Sequence, residues 1–591
     1  MNLCRRTSPG ARGGPALKSV TALLWVLSWG AAYAAGPDVL PQKRYAKVAA
    51  ALEQFIQREM KDKQLPAFSI ALVDDQQIVW SKGFGYADPQ RKTPAAADTI
   101  YRIGSVSKLF TDIGIMQLVE QGKVDLDVPV STYLPEFQPK NQFGKPITLR
   151  QLMSHRAGLL REPPVGHYFD PTEPCLADTV KSLNGQELVY PPETRVKYSN
   201  AGIAVVGYVL QVIEKKPFTA YLKDAVLKPM GLEDSAFEPE PAIQAKLAKA
   251  YLWSYAGKVF EAPKWQLGMA PAGSMYSSVN DLGRFMSVLF AGGRGPHGQV
   301  IKPESLTAMW TPQFPKAGGP RQFGIGFVLG QLDGHRLVGH GGAVYGFATE
   351  IELLPDDKIG AVTVTTMDSA NPVVSHVANE ALRLMLALKT GKLLPEIPVT
   401  QPILLEQLRK LADGYGEGEG AFDLIQKKND LYLYFVRGGY EMKLRQLGDS
   451  LIVDDRLGYG LKLQPVSGGI KLNNKVYNRA EKAKAASLPE EWKRLIGEYG
   501  WDHNILYLSE RDGKLTSLIE WYEYEPLEPV AKDVFRYPTR GLYDNENFTF
   551  LRDASGKVTA VKVGGVVFKR RTTVDEANKG AEKKASAAAA K

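Results

Sequence analysis

Apolar residues recur at helical spacing from Tyr45 to Lys63, placing Ala49, Leu52, Phe55, Ile56 and Met60 on one face of an amphipathic helix. Two strand-like runs follow, FSIALVDD and QQIVWSKGFGYAD, with Asp74, Asp75 and Gln76 as the turn between them, and together they predict a hairpin. The middle of the chain is mostly helix and loop, with its strongest periodic runs at Val106–Gln121, Ala201–Glu214 and Asp281–Leu289. Strand character returns near Arg336 with RLVGHGG, FATEIELLPDD and KIGAVTVTTMD, and Val374–Leu388 reads as a closing helix. Strands at both ends of a helical middle predict an α+β fold, with one antiparallel sheet assembled from distant halves of the sequence and a helical subdomain inserted between them.

After Leu394 the pattern changes. A Pro-containing connector, Leu394–Pro402, leads into short alternating segments such as DLYLYFV, YGLKLQPV, FTFLRD and VTAVKV, which predict an all-β region. Two stretches share a layout: LADGYGEGEG to KLNNKVYNRA, and LIGEYGWDHN to VKVGGVVFKRR. Each opens on a Tyr-Gly pair and closes on an aromatic followed by Arg. The expectation is one or two small antiparallel barrels, two if each stretch closes on itself with six to eight strands and one if both halves combine. The expected organisation is a removable leader over 1–34, a main α+β domain over 45–393, β domains over 403–482 and 488–571, and a disordered Ala/Lys-rich tail over 572–591.

Composition narrows the class. Hydrophobic residues at 44% and charged residues at 23% exclude a disordered, collagen-like or polytopic membrane protein. The leader reading rests on a basic start, an apolar run from Val20 to Trp29 and small residues at Ala32-Tyr33-Ala34, so a secreted or periplasmic protein is expected. That run is short for a stable membrane span. The formal charge is +9, and without the leader's Arg5, Arg6, Arg12 and Lys18 it is +5, too diffuse to suggest nucleic-acid binding.

Three segments could carry chemistry. In Tyr101-Arg-Ile-Gly-Ser105-Val-Ser-Lys108, a helix starting here would set Ser105 and Lys108 three residues apart on one face, so that a hydroxyl and an amine can touch. A serine hydroxyl needs a base, and burial that lowers a lysine pKa makes an amine available for that task. Alone, the pair equally describes an N-capping serine with a solvated lysine. Tyr198-Ser199-Asn200, before the apolar run AGIAVVGYVLQVI, offers a phenol to shuttle a proton and an amide to contact substrate; alone it is also a capping turn. Gly339-His340-Gly341-Gly342-Ala343 would let a substrate lie against a strand, with the Ala343 N–H directed at an oxyanion; alone it is also a bulge.

Taken together, in this order and spacing, the three segments resemble those of the penicillin-recognising serine hydrolases, the group of class C β-lactamases, DD-peptidases, certain esterases and D-aminopeptidases. The resemblance covers about Tyr45–Leu388 and extends to Leu152-Met-Ser-His155-Arg-Ala-Gly-Leu, to Pro271-Ala-Gly-Ser-Met-Tyr-Ser-Ser and to Phe323-Gly-Ile-Gly-Phe, segments expected to support the site. It implies a β-lactamase-like domain with Ser105 as acylated nucleophile, Lys108 and Tyr198 as proton relay, and Asn200, His340, Gly341, Gly342 and Ala343 on the substrate. The backbone N–H groups of Ser105 and Ala343 would form an oxyanion hole. Neither metal nor cofactor is implied, and the histidines lack metal-ligand spacing. Partners would be small-molecule, peptide or ester substrates, peptidoglycan fragments included. The third motif has His340-Gly-Gly where β-lactamases have Lys-Thr-Gly, so a fixed positive charge is missing and strong β-lactamase activity is not expected. His-x-Gly is closer to the D-aminopeptidase and esterase branch, whose D-aminopeptidases carry two β-barrels behind the catalytic domain. A weak β-lactamase or DD-peptidase, or a cell-wall binding or sensing protein without turnover, is the alternative reading.

Overall fold

A computed structural model of the chain describes residues 38–254, 257–315, 322–480, 487–520 and 522–571. The expected leader and tail lie outside the described residues. The first helix, α1 (Ala46–Lys63), precedes the hairpin β1 (Ala67–Asp74) and β2 (Gln77–Asp88). The helical middle contains α2 (Ser107–Glu120), α3 (Asn200–Glu214) and α4 (Val279–Phe290). The chain then returns through β3 (Val328–Leu332), β4 (His335–Val344), β5 (Phe347–Leu354) and β6 (Ile359–Thr365) to α5 (Asn371–Lys389).

These strands form one antiparallel sheet in the order β3-β4-β5-β6-β1-β2, with a two-residue strand at each edge, Gln322–Phe323 and Thr93–Pro94. The distant halves meet where β1 pairs with β6, Ala71 opposite Val362. Because successive side chains on β1 point to opposite faces, Ile70 and Leu72 pack with α1 and α5, and Ala71 and Val73 pack with α4 and the helical region. Both faces are covered, which explains why β1 is apolar on both faces apart from the buried Ser69 and the terminal Asp74. Helix α2 is buried from Ser107 to Leu118, more completely than an amphipathic surface helix would be. Any charged residue near its start is therefore taken out of water.

The β region forms two units with separate cores. The first is an eight-stranded sheet from Asp413–Tyr415 to Lys475–Asn478, nearly closed by a bridge between Tyr415 and Arg479. Among the described residues the second has nine strands, one more than expected, in sheets of four and five, and its ends meet through a bridge between Tyr499 and Arg570. The repeated layout in the sequence is this closure. In each unit the opening tyrosine is buried and its hydroxyl donates to the carbonyl four residues upstream, Tyr415 to Leu411 at 2.8 Å and Tyr499 to Leu495 at 2.7 Å.

Both units dock on the first domain through buried polar or aromatic contacts. Lys63, at the end of α1, pairs with Glu59 at 2.8 Å and with Asp454 of the first β unit at 2.5 Å. Phe169 inserts into the core of the second unit, its ring parallel to Trp501 at 5.9 Å. Lys197 pairs with Glu546 at 2.7 Å, both side chains almost inaccessible.

Candidate active site

The Tyr101–Lys108 segment does not form one continuous α-helix. Gly104–Val106 is a 3-10 turn, and α2 begins at Ser107. The turn is fixed by the Ser107 hydroxyl, which donates to Gly104 O at 2.6 Å and accepts from Met275 N–H at 3.0 Å. Ser105 stays partly accessible at the mouth while Lys108, one turn deeper, has no exposed surface.

Lys108 Nζ donates to Ser105 Oγ at 3.0 Å, to Asn200 Oδ1 at 2.9 Å and to the Ala272 carbonyl at 2.7 Å. Burial holds its pKa below the ordinary lysine value, against the opposing pull of the Tyr198 side chain. An amine in this position can exist uncharged and accept the proton of the hydroxyl it touches. Tyr198 lies beside it, with Lys108 Nζ 5.0 Å from the ring centroid.

The residues around Tyr198 fix its position. The His155 ring packs on it at 4.2 Å, while His155 Nδ1 accepts the Ser199 N–H at 3.2 Å and His155 O accepts the Lys197 N–H at 2.8 Å. Burial, then the nearby Lys108, keep the His155 pKa well below its ordinary value, in keeping with a ring that accepts at Nδ1. The Ser199 side chain caps α3 by accepting from Gly202 N–H at 2.9 Å.

The third segment lies on β4. Strand β3 pairs with β4 only as far as Gly339. Beyond that point the strand meets the 3-10 turn instead. The approach is close: a Cβ at Gly342 would stand 2.0 Å from Ile103 O and 3.3 Å from Ser105 N, and one at Gly104, whose φ is +54°, would stand 2.6 Å from Ala343 N. The backbone nitrogens of Ser105 and Ala343 both border this contact. His340 is buried, its Nδ1 2.5 Å from Gly341 O and its ring 6.3 Å from that of Tyr198.

Ser105, Tyr198, Asn200, His340, Gly341, Gly342 and Ala343 all line one cavity of about 720 Å³, and Lys108 touches two of them from beneath. The segments expected only to support the site are also there, as His155 under Tyr198 and Ala272 against Lys108. Sequence reasoning missed Arg161, Glu162 and Asp368, and it missed Tyr440 of the first β unit and Glu520, Tyr522, Glu523 and Asp544 of the second, which complete the wall. None belongs to the three segments that could carry chemistry, and only the fold brings them together. Among the described residues no group of His, Cys, Asp or Glu is arranged to hold a metal ion.

Comparisons with known proteins bear on the family and the fold. Beta-lactamase-like protein 2 of Dictyostelium discoideum is 29% identical over 358 residues, 58% of this chain, and the match spans 63% of that protein's length. The octameric penicillin-binding protein homologue from Pyrococcus abyssi superposes with a TM-score of 0.54 at 23% identity, covering 80% of this chain and 99% of its own. The D-amino acid amidase from Ochrobactrum anthropi SV3, solved with L-phenylalanine amide, gives 0.50 at 22% identity over 58% of this chain and 99% of its own. At those identities the two structures establish shared fold. Residues 52–384, more than half of the chain, match the Beta-lactamase family, and the chain belongs to that family.

Proposed function

We propose that the protein is an exported serine hydrolase that cleaves amide or ester bonds through an acyl-enzyme on Ser105. The observation that carries this reading is the 3.0 Å contact between Ser105 Oγ, open to the cavity, and a fully buried lysine. In its neutral form Lys108 takes the Ser105 proton as Oγ bonds to the substrate carbonyl carbon. The carbonyl electron pair moves onto oxygen, toward the N–H groups of Ser105 and Ala343. Tyr198 relays the proton to the departing amine or alcohol, the carbonyl re-forms, and an acyl-serine remains. Water then attacks with the proton transfers reversed, releasing the acid and restoring Ser105.

The cavity is of a size that suits a small ligand. Arg161 and Lys197 face a larger set of acids, Glu162, Asp368, Glu520 and Glu523 among them, and Lys197 is already paired with Glu546. Burial and the neighbouring Glu520 push Asp368 up to about 7, and burial, Glu525 and Glu520 push Glu523 up to about 8. Crowded carboxyls favour an incoming positive charge, and with histidine at position 340 in place of a lysine they disfavour a substrate carboxylate. This supports substrates with a free amino group, such as short peptides, amino-acid amides and small esters, over penicillins. Export rests on the leader-like first 34 residues.

The test is a product screen on the purified protein. It uses short peptides with D- or L-residues at either end, amino-acid amides, aryl esters, and each amine-bearing substrate paired with its N-acetyl form. The expected result is hydrolysis of at least one amide or ester, with the free amine preferred. An acyl-enzyme that accumulates with no product from any substrate would instead favour a binding or sensing protein.

A further inference from the structure

Lys108 has three hydrogen-bonding positions around its nitrogen, and the site fills all three. Two are fixed acceptors, Asn200 Oδ1 and Ala272 O, and the third is Ser105 Oγ. A neutral amine has two N–H groups and one lone pair. When the two N–H groups are held by the two acceptors, the lone pair points at the serine. An amide, however, has a donor end as well as an acceptor end. If Asn200 were turned over, its NH₂ would face Lys108 and donate into that lone pair, and the base would be blocked.

One residue sets which end of the amide faces Lys108. Asn200 Nδ2 donates to Glu162 Oε1 at 2.6 Å, and Glu162 Oε2 accepts the Tyr168 N–H at 3.1 Å. Both carboxylate oxygens are thus engaged by donors in a position with 2% of its surface exposed. The backbone reinforces the geometry, since the N–H groups of Asn200 and Ala201 both donate to Arg161 O, at 2.9 and 3.1 Å. Neither the Ser-x-x-Lys nor the Tyr-x-Asn motif includes Glu162.

We infer that Glu162 is a positioning residue for the proton transfer: it holds the Asn200 amide with its oxygen toward Lys108 and so keeps the lysine lone pair directed at Ser105. The inference rests on the reading of Ser105 as nucleophile and Lys108 as base. It also gives Asn200 a task besides meeting substrate, because both ends of its amide are committed within the protein.

Glu162→Gln tests this by hydrogen-bond count. Glutamine offers one acceptor and one donor where glutamate offers two acceptors. If its oxygen keeps the Tyr168 N–H, its NH₂ faces Asn200 and forces the amide to reverse. The rate of Ser105 acylation by a fluorophosphonate is expected to fall about 10- to 100-fold, toward the loss of a general base. The acid limb of the pH–rate profile is expected to move to lower pH, because a negative charge near Lys108 is gone and a donor now faces its lone pair. The other groups that bear on Lys108 are Tyr198, Arg161, His155 and Asp112, and all are retained.

The exchange variant Glu162→Gln with Asn200→Asp supplies the control and remains decisive if the single variant fails to fold. It restores an acceptor facing Lys108 whichever way residue 162 turns. Acylation should recover at least severalfold over Glu162→Gln, or be readily measured where the single variant does not fold, with the acid limb moved above that of the parent protein. The inference is overturned if Glu162→Gln acylates within twofold of the parent, or if the limb stays in place and the exchange restores nothing. Ser105→Ala separates the two levels: labelling that survives it removes the nucleophile reading, whereas labelling lost in Ser105→Ala and unchanged in Glu162→Gln removes only the role of Glu162.

Discussion

Gly342→Ala puts the smallest side chain at the closest approach in the site. The added Cβ would lie 2.0 Å from Ile103 O and 3.3 Å from Ser105 N. A carbon–oxygen contact settles at about 3.3 Å or more, so β4 and the 3-10 turn must separate by about 1 Å. Both obstructing atoms are backbone and cannot swing aside. A misplacement of about 1 Å in a reacting site costs on the order of 100-fold in rate, which corresponds to about 2.7 kcal/mol of barrier. Overpacking is expected to destabilise the fold by about 1–3 kcal/mol as well, leaving the protein folded at room temperature. The adjacent Gly341 is the comparison. A Cβ there would meet Glu350 Oε2 at 3.0 Å, the tip of a side chain, and a rotamer adjustment limits the effect to less than about tenfold. The assay is the second-order rate constant for fluorophosphonate inactivation, with the melting temperature as control. Gly342→Ala within threefold of the parent, or Gly341→Ala equally slow, would refute the claim that β4 and the nucleophile turn form one tightly fitted unit.

Three further outcomes follow from the same structure. Burial lowers the Lys108 pKa, and under the proposed mechanism the neutral amine is the active form, so acylation should rise with pH through a limb lying below the ordinary lysine value of about 10.4. In that window the unfolded chain holds a proton the folded chain lacks, so stability should rise with pH too; a limb at or above the ordinary value contradicts the burial argument. Glu546→Ala leaves Lys197 buried without its carboxylate and removes the acceptor of the Arg161 N–H, and it should destabilise the protein by about 3–5 kcal/mol in chemical denaturation. It should also slow acylation, because Lys197 precedes Tyr198. A loss under 1 kcal/mol contradicts it. A chromogenic cephalosporin should be turned over slowly, and fast turnover would overturn the argument from His340.

Periodicity was enough to locate the central elements. The apolar spacing in α1, the β1–β2 hairpin and the runs that became α2, α3 and α4 lie within a few residues of where the pattern places them, because each buries a face whose period is visible locally. The start of α2 differs. Ser105 belongs to a 3-10 turn held by Ser107 and Met275, and that bond to a residue far along the chain leaves no local trace. The repeated Tyr-Gly and aromatic-Arg layout marked the closure of both β units, although the four-plus-five arrangement of the second was not legible. In the site, residues within motifs were readable and those placed by the fold were not. Glu162 follows an ordinary loop arginine, and Glu520 sits in a strand-rich tail. Glu162 gains its meaning from Asn200 and Tyr168, which the first domain brings to it, and Glu520 from the docking of the second β unit beside the cavity through Phe169 and the Lys197–Glu546 pair.

The most direct measurement is intact mass and active-site peptide mapping after exposure to a fluorophosphonate, on the parent protein and on Ser105→Ala. A single adduct on Ser105, abolished by the substitution while the melting temperature holds, is the predicted result. An adduct on another residue, or labelling that persists without Ser105, would contradict the assignment of the nucleophile and the proton transfer built around it.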